Sequence, residues 1–106
     1  VSTGKPGYRT LPGEFSVYRK YEETRMTGAD YDTPDVPWTM YFEGSFALHA
    51  ALWHDQFGRQ RSHGCVNLAP ADARWLFQWT TPVLPPGWHG VVSTSRRQGT
   101  WVHITP

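Results

Sequence analysis

The residues of this 106-residue chain that can do chemistry gather around its single cysteine. Cys65 lies in RSHGCVNL, residues 61–68, two positions after His63 and directly after Gly64. Three uses of the thiol compete. As a metal ligand it would recruit His49, His54 and His63, because zinc accepts Cys and His donors. The chain has no paired C-x-x-C or H-x-x-x-H spacing of the kind a closed structural site uses. As a packing residue it would be a small buried hydrophobe. As a nucleophile it needs help, because an unperturbed thiol has a pKa of about 8.5 and only the thiolate attacks.

The residues around Cys65 suit the third use. A neighbouring imidazole can take the thiol proton. Gly64 lets the backbone bend and a substrate approach, and such a bend can aim the Gly64 and Cys65 amides at a developing oxyanion. Two histidines compete for the base. His63 is two residues from Cys65, so on an extended segment both project to one side. His49 lies in the apolar run FALHAALW, where a polar side chain is either a hydrogen-bonded core residue or a base presented to a site.

The elements that must position these groups are short. Gly and Pro punctuate the chain throughout. Pro12-Gly13 has the order of a type II turn. EFSVYRKYE (14–22) reads as a strand, and MTGADYDTPDVP (26–37) reads as a loop. WTMYFEG (38–44) and SFALHAALW (45–53) read as strands joined near Gly44, followed by a polar loop over 54–61. PADARWLFQWT (70–80) is the one good helix. Pro70 suits its first turn, Asp72 its positive end, and Ala73, Leu76 and Phe77 share a face. Trp75 and Trp79 stand side by side, four residues apart. Residues 82–90 are loop, and GVVSTS and GTWVHITP are two strands around the turn RRQG (96–99). The expectation is one mainly β domain, a β-sandwich or partly open barrel, with one α-helix after the Cys65 loop.

Bulk properties exclude some classes. A formal net charge of +1 offers no electrostatic footprint for nucleic acid. No window has the roughly 18 apolar residues of a membrane span, and no signal peptide is visible. One cysteine excludes an internal disulfide framework. Six Trp, five Tyr and five Phe are expected mostly in the core, with the remainder available to stack on sugars or peptides.

The segment FALHAALWHDQFGRQRSHGCVNLAPADARWLF (46–77) resembles the L,D-transpeptidase family, the YkuD-type catalytic domains. The family signature is a His on a strand, a spacer, and Ser/Thr-His-Gly-Cys-x-Asn or Arg. Here His49 is followed by Ser62-His63-Gly64-Cys65-Val66-Asn67. VSTGKPG and TLPGEFSV look like the family's earlier strand end and turn, so the resemblance covers nearly all of residues 1–106. It implies that Cys65 is the acyl-accepting nucleophile and that His49, not His63, activates it. It further implies that the Ala50 backbone carbonyl orients the His49 ring. His63 and Gly64 would shape the site and its oxyanion hole, with Ser62 and Asn67 bracing the loop. Trp53 and Tyr41 would line the donor pocket, with plain packing as the alternative for both.

The implied reaction is acyl transfer on peptidoglycan stem peptides, with loss of D-alanine and cross-linking or hydrolysis. It needs no metal or organic cofactor, and carbapenems are expected to acylate Cys65. A cell-wall substrate implies a periplasmic or extracellular place. Two departures stand out. The spacer between His49 and Ser62 is slightly short, and the chain starts where family domains already have one or two strands behind them. The chain therefore reads as N-terminally truncated, with a non-catalytic peptidoglycan-binding module as the alternative function.

Overall fold

A computed structural model of the chain describes residues 13–27, 32–44, 46–51, 65–94 and 98–104. Its elements are β1 (Gly13–Ser16), β2 (Arg19–Thr27), β3 (Asp32–Glu43), β4 (Phe46–Ala50), β5 (Val66–Leu68), α1 (Pro70–Trp79), β6 (Gly90–Val92) and β7 (Trp101–Ile104). Among the described residues the strands form two sheets. One has five strands in the order β5-β4-β3-β2-β6, and the other pairs β1 with β7. All neighbours are antiparallel except β4 and β5, which run parallel. The mainly β architecture with one helix after Cys65 is as the sequence implied.

Period-two alternation gives the large sheet two different faces. Lys20, Met40, Leu48 and Val66 form one row across it, set by the pairings Lys20↔Met40, Met40↔Leu48 and Leu48↔Val66. This face receives α1. Ala73 packs with Ala50, Val66 and Leu68, and Phe77 packs with Val17 and Met40. Trp38 closes the contact edge-on to Phe77, with ring centroids 5.3 Å apart. The opposite face carries the next row, Arg19↔Tyr41↔Ala47, and continues to Cys65 beside Val66.

The helix matches the sequence expectation to within a residue. Pro70 is at its start, Asp72 is in its first turn, and Ala73 and Phe77 are buried. Its last turn has no basic residue of its own. Lys20 supplies one from β2. This lysine is 0% exposed, and its ammonium donates to Phe77 O and, at 2.9 Å, to Thr80 O. It also stands 4.4 Å from the Phe77 ring centroid. A cation at the negative helix end is favourable, and the two carbonyls replace part of its lost water.

Four expectations need correction. First, residues 14–22 are not one strand. Val17 N donates to Thr100 O in the small sheet's neighbourhood, and Tyr18 N donates to Tyr41 O in the large sheet. The chain changes sheets between those two amides. Gly99 makes room for the crossing, because a Cβ there would lie 1.6 Å from Val17 O.

Second, residues 26–37 are largely strand rather than loop, since β2 runs to Thr27 and β3 starts at Asp32. Pro34 and Pro37 are tolerated because β4 pairs only with the Met40–Glu43 end of β3, leaving the earlier part an edge. Third, β6 and β7 do not form a hairpin. β6 pairs with β2 and β7 with β1. The two flanking runs are alike in pattern, and only the packing of the sheets separates them.

Fourth, the tryptophans are not core. Trp75, Trp79, Trp88 and Trp101 are 56–75% exposed, leaving only Trp38 of the five described tryptophans half-buried. The core instead uses Met, Val, Ala, Tyr41, Phe42 and Phe77. Trp75 and Trp79 do stand side by side as expected, stacked with centroids 6.1 Å apart. The strand break near Gly44 is also as expected, with φ of 50° there. The Pro12-Gly13 turn lies partly outside the described residues.

Candidate active site

His49 is the fourth residue of β4, and Asn67 is the middle residue of β5 directly opposite it. Cys65 immediately precedes β5, two residues before Asn67. Residues two apart on an extended segment share a face, so Cys65, Asn67 and His49 all belong to the face away from α1. In a sheet, diagonal neighbours of this kind lie about 7–8 Å apart at Cα, within reach of long side chains. The parallel register between β4 and β5 therefore puts a thiol and an imidazole sixteen residues apart in sequence on one face of the sheet, on neighbouring strands.

The His49 ring is held from behind. Its Nδ1 is 3.0 Å from Ala50 O, and the residue is 4% exposed. A carbonyl can only accept, so Nδ1 carries the proton and Nε2 keeps a lone pair. Ala50 itself faces the helix side, packed with Val66, Leu68 and Ala73, which anchors the carbonyl. No particular side chain is required at this position for the contact, only a fixed backbone.

Cys65 is 7% exposed and packs with Ala47, Tyr41, Val36 and Met26. Burial pushes its thiol up to about 11, and a hydrogen bond to the Ala47 backbone pulls it back only in part. At neutral pH about one thiol in ten thousand is then ionised. The resting thiol stays protonated, so a base must remove the proton as the sulfur attacks. An imidazole whose Nε2 keeps its lone pair is suited to that task.

Tyr41 is buried and packs in the same cluster as Cys65. Burial raises its hydroxyl pKa, with Arg19 acting in the opposite direction. Of the other residues singled out in the sequence, Asn67 is buried opposite His49. Trp53, His54, Ser62, His63 and Gly64 lie outside the described residues.

Two basic residues escaped the sequence reading. Lys20 braces the helix, and Arg19 lies over the tyrosines beside Cys65. Nothing in the local pattern RKYEE distinguishes a buried lysine or a stacked arginine from solvated ones. The pairing of β2 with β3 places them.

The family model for the YkuD L,D-transpeptidase catalytic domain matches residues 1–104. L,D-transpeptidase 2 of Mycobacterium tuberculosis is 30% identical over 90 residues, covering 73% of this chain and 22% of that protein. Among solved structures, the Ldtfm-avibactam carbamoyl enzyme is similar with a TM-score of 0.69 and 32% identity, over 83% of this chain and 39% of that one. The L,D-transpeptidase LdtMt1 in complex with imipenem has a TM-score of 0.66 and 28% identity, over 74% and 42%. The chain thus spans between about a fifth and two fifths of the length of these relatives.

Proposed function

The chain belongs to the YkuD family of L,D-transpeptidase catalytic domains, and we propose on that premise that it is a cysteine acyltransferase acting on peptidoglycan stem peptides. Cys65 attacks the carbonyl at the L-centre of the third stem residue, meso-diaminopimelate or a similar one. His49 Nε2 takes the thiol proton as the bond forms. The tetrahedral oxyanion is held by amides near Gly64 and Cys65. The intermediate collapses to a thioester on Cys65, and the imidazolium gives its proton to the departing amine of D-alanine.

In the second half of the cycle an amine of another stem attacks the thioester, with His49 again accepting the proton. The product is a cross-link between two third residues. Water in place of the amine gives hydrolysis, the L,D-carboxypeptidase outcome. Carbapenems present a strained acyl group to the same sulfur and are expected to acylate it. No step draws on a metal or organic cofactor. The substrate places the working enzyme at the cell wall, outside the cytoplasm.

One observation carries this reading: His49, its Nδ1 tied to Ala50 O, shares a sheet face with Cys65 across the β4–β5 register. The test is to incubate the protein with a disaccharide-tetrapeptide and follow D-alanine. Release by the wild type and none by Cys65→Ala supports the enzyme. Binding without release would instead establish a peptidoglycan-binding module. Activity that disappears on chelation and survives Cys65→Ala would point to a metal hydrolase.

A further inference from the structure

The row that contains Cys65 continues across the large sheet through Ala47 and Tyr41 to Arg19 on β2. Arg19 occupies an unusual setting. Its guanidinium carbon is 4.9 Å from the Tyr41 ring centroid, 5.3 Å from that of Tyr18 and 5.9 Å from that of Tyr21. Tyr21 and Tyr41 themselves meet edge to face, with centroids 6.1 Å apart. The Tyr18 hydroxyl is tied to Gly44 O at the β3–β4 turn.

The guanidinium is thus held by aromatic rings and a hydrogen bond with Tyr18 rather than by an acid. Among the described residues its electrostatic partners are Tyr18, Tyr21 and Tyr41, with no carboxylate. Its Nε is buried without a hydrogen-bond partner. Guanidinium groups stack on ring faces while keeping the edge donors available, and those donors match a carboxylate two-pronged. A fork immobilised in advance loses less entropy when it binds.

Position supplies the rest. Arg19 is three strand spacings from the Cys65 segment, and its head leans over Tyr41, two spacings away, or about 10 Å. A donor peptide bound at Cys65 has two free carboxylates within about two residue lengths, ~7 Å, of the carbonyl attacked. One belongs to the leaving D-alanine, and the other to the distal centre of a meso-diaminopimelate side chain.

We infer that Arg19, held between Tyr18, Tyr21 and Tyr41 on the Cys65 face of the sheet, is the residue that binds a carboxylate of the donor peptide and sets its register at the thiol. This rests on the stem-peptide reading above. It adds a specificity determinant to that reading, one that distinguishes acid from amide forms of the donor.

The test uses equilibrium binding, so that it does not depend on turnover. Three tetrapeptides are titrated into Cys65→Ala protein: the free diacid, its D-alanine carboxamide and its side-chain carboxamide. The diacid is expected to bind about tenfold more tightly than one of the two amides, and that amide identifies the carboxylate held. Adding Arg19→Gln should remove the preference. Arg19→Lys, which keeps charge but not the fork, should retain part of it. Equal affinity for all three peptides, or a preference that persists in both Arg19 variants, overturns the inference. No D-alanine release by the wild-type protein, with the acid preference intact in Cys65→Ala, would count against the transferase reading instead.

Discussion

His49 on β4 lies directly opposite Asn67 on β5, which sets Cys65, two residues earlier, on the same sheet face as the imidazole. The hydrogen bond from Nδ1 to Ala50 O aims the remaining ring nitrogen. If this pair carries acyl transfer, Cys65→Ala abolishes D-alanine release, and His49→Ala lowers it by about 10²- to 10⁴-fold, the usual contribution of a positioned base. His49→Ala should still be slowly acylated by a carbapenem, visible as a mass increase of the intact protein. Loss of only a few fold in His49→Ala would remove this residue from the base role.

Burial holds the Cys65 thiol up to about 11. Only the thiolate reacts with iodoacetamide, so the alkylation rate of His49→Ala protein should keep rising with pH well beyond 9. An ordinary exposed thiol levels off near pH 8.5. A plateau at or below that value would mean the sulfur is better solvated than the packing of Ala47, Tyr41 and Val36 implies. Quench-flow or mass-resolved alkylation between pH 6 and 11 gives the profile.

Lys20 links β2 to the C-terminal carbonyls of α1 from a fully buried position. Lys20→Met leaves Phe77 O and Thr80 O without that donor, and is expected to lower stability by about 1–3 kcal/mol at pH 7. The pH dependence has a definite sign. Burial lowers the folded lysine from 10.5 to about 8. Between those values the unfolded chain binds more protons than the folded one, so this group adds stability as pH rises from about 8 towards 10.5. Below 8 both states are protonated, and its contribution is flat. Urea midpoints of wild type and Lys20→Met should therefore diverge above pH 8 and run parallel below it.

Gly99 touches the chain where it passes from one sheet to the other. A Cβ there would sit 1.6 Å from Val17 O and 2.6 Å from Val17 C, and backbone cannot swing aside as a flexible side chain can. Gly99→Ala should lower stability by about 3 kcal/mol or more, or prevent folding. Gly44→Ala, at a turn with nothing within 4 Å of the added methyl, should cost only the strain of its φ of 50°, about 1–2 kcal/mol. Thermal melts of the two variants rank the effects. A milder effect at Gly99 than at Gly44 would contradict the close crossing at Val17.

The exposed tryptophans show where sequence reasoning met its limit. Large rings promise core by composition, yet α1 is only ten residues long and its buried stripe is filled by Ala73, Leu76 and Phe77. Trp75 and Trp79 then fall on the outer side. The Pro-rich stretch ahead of Trp38 reads as loop for a similar reason. Proline excludes central strands, but a single sequence does not tell which half of a strand will lie at an edge.

What the sequence determined by itself was local and chemical. Pro70, Asp72 and the spacing of Ala73, Leu76 and Phe77 are enough to specify a helix, because its hydrogen bonds and its apolar stripe are set within four residues. One thiol among imidazoles likewise restricted the chemistry to a few options. Cys65 could be paired with either His63 or His49 from the residues alone, and only the family resemblance preferred His49. Tertiary structure decided the relations between strands. It put His49 and Cys65 on one face, turned Lys20 inward and set Arg19 among three tyrosines. Strand pairing joins residues far apart in sequence, and a shift of one residue would send each of these side chains to the other face. That register is fixed by packing on both sides of the sheet, which no short stretch of the chain contains.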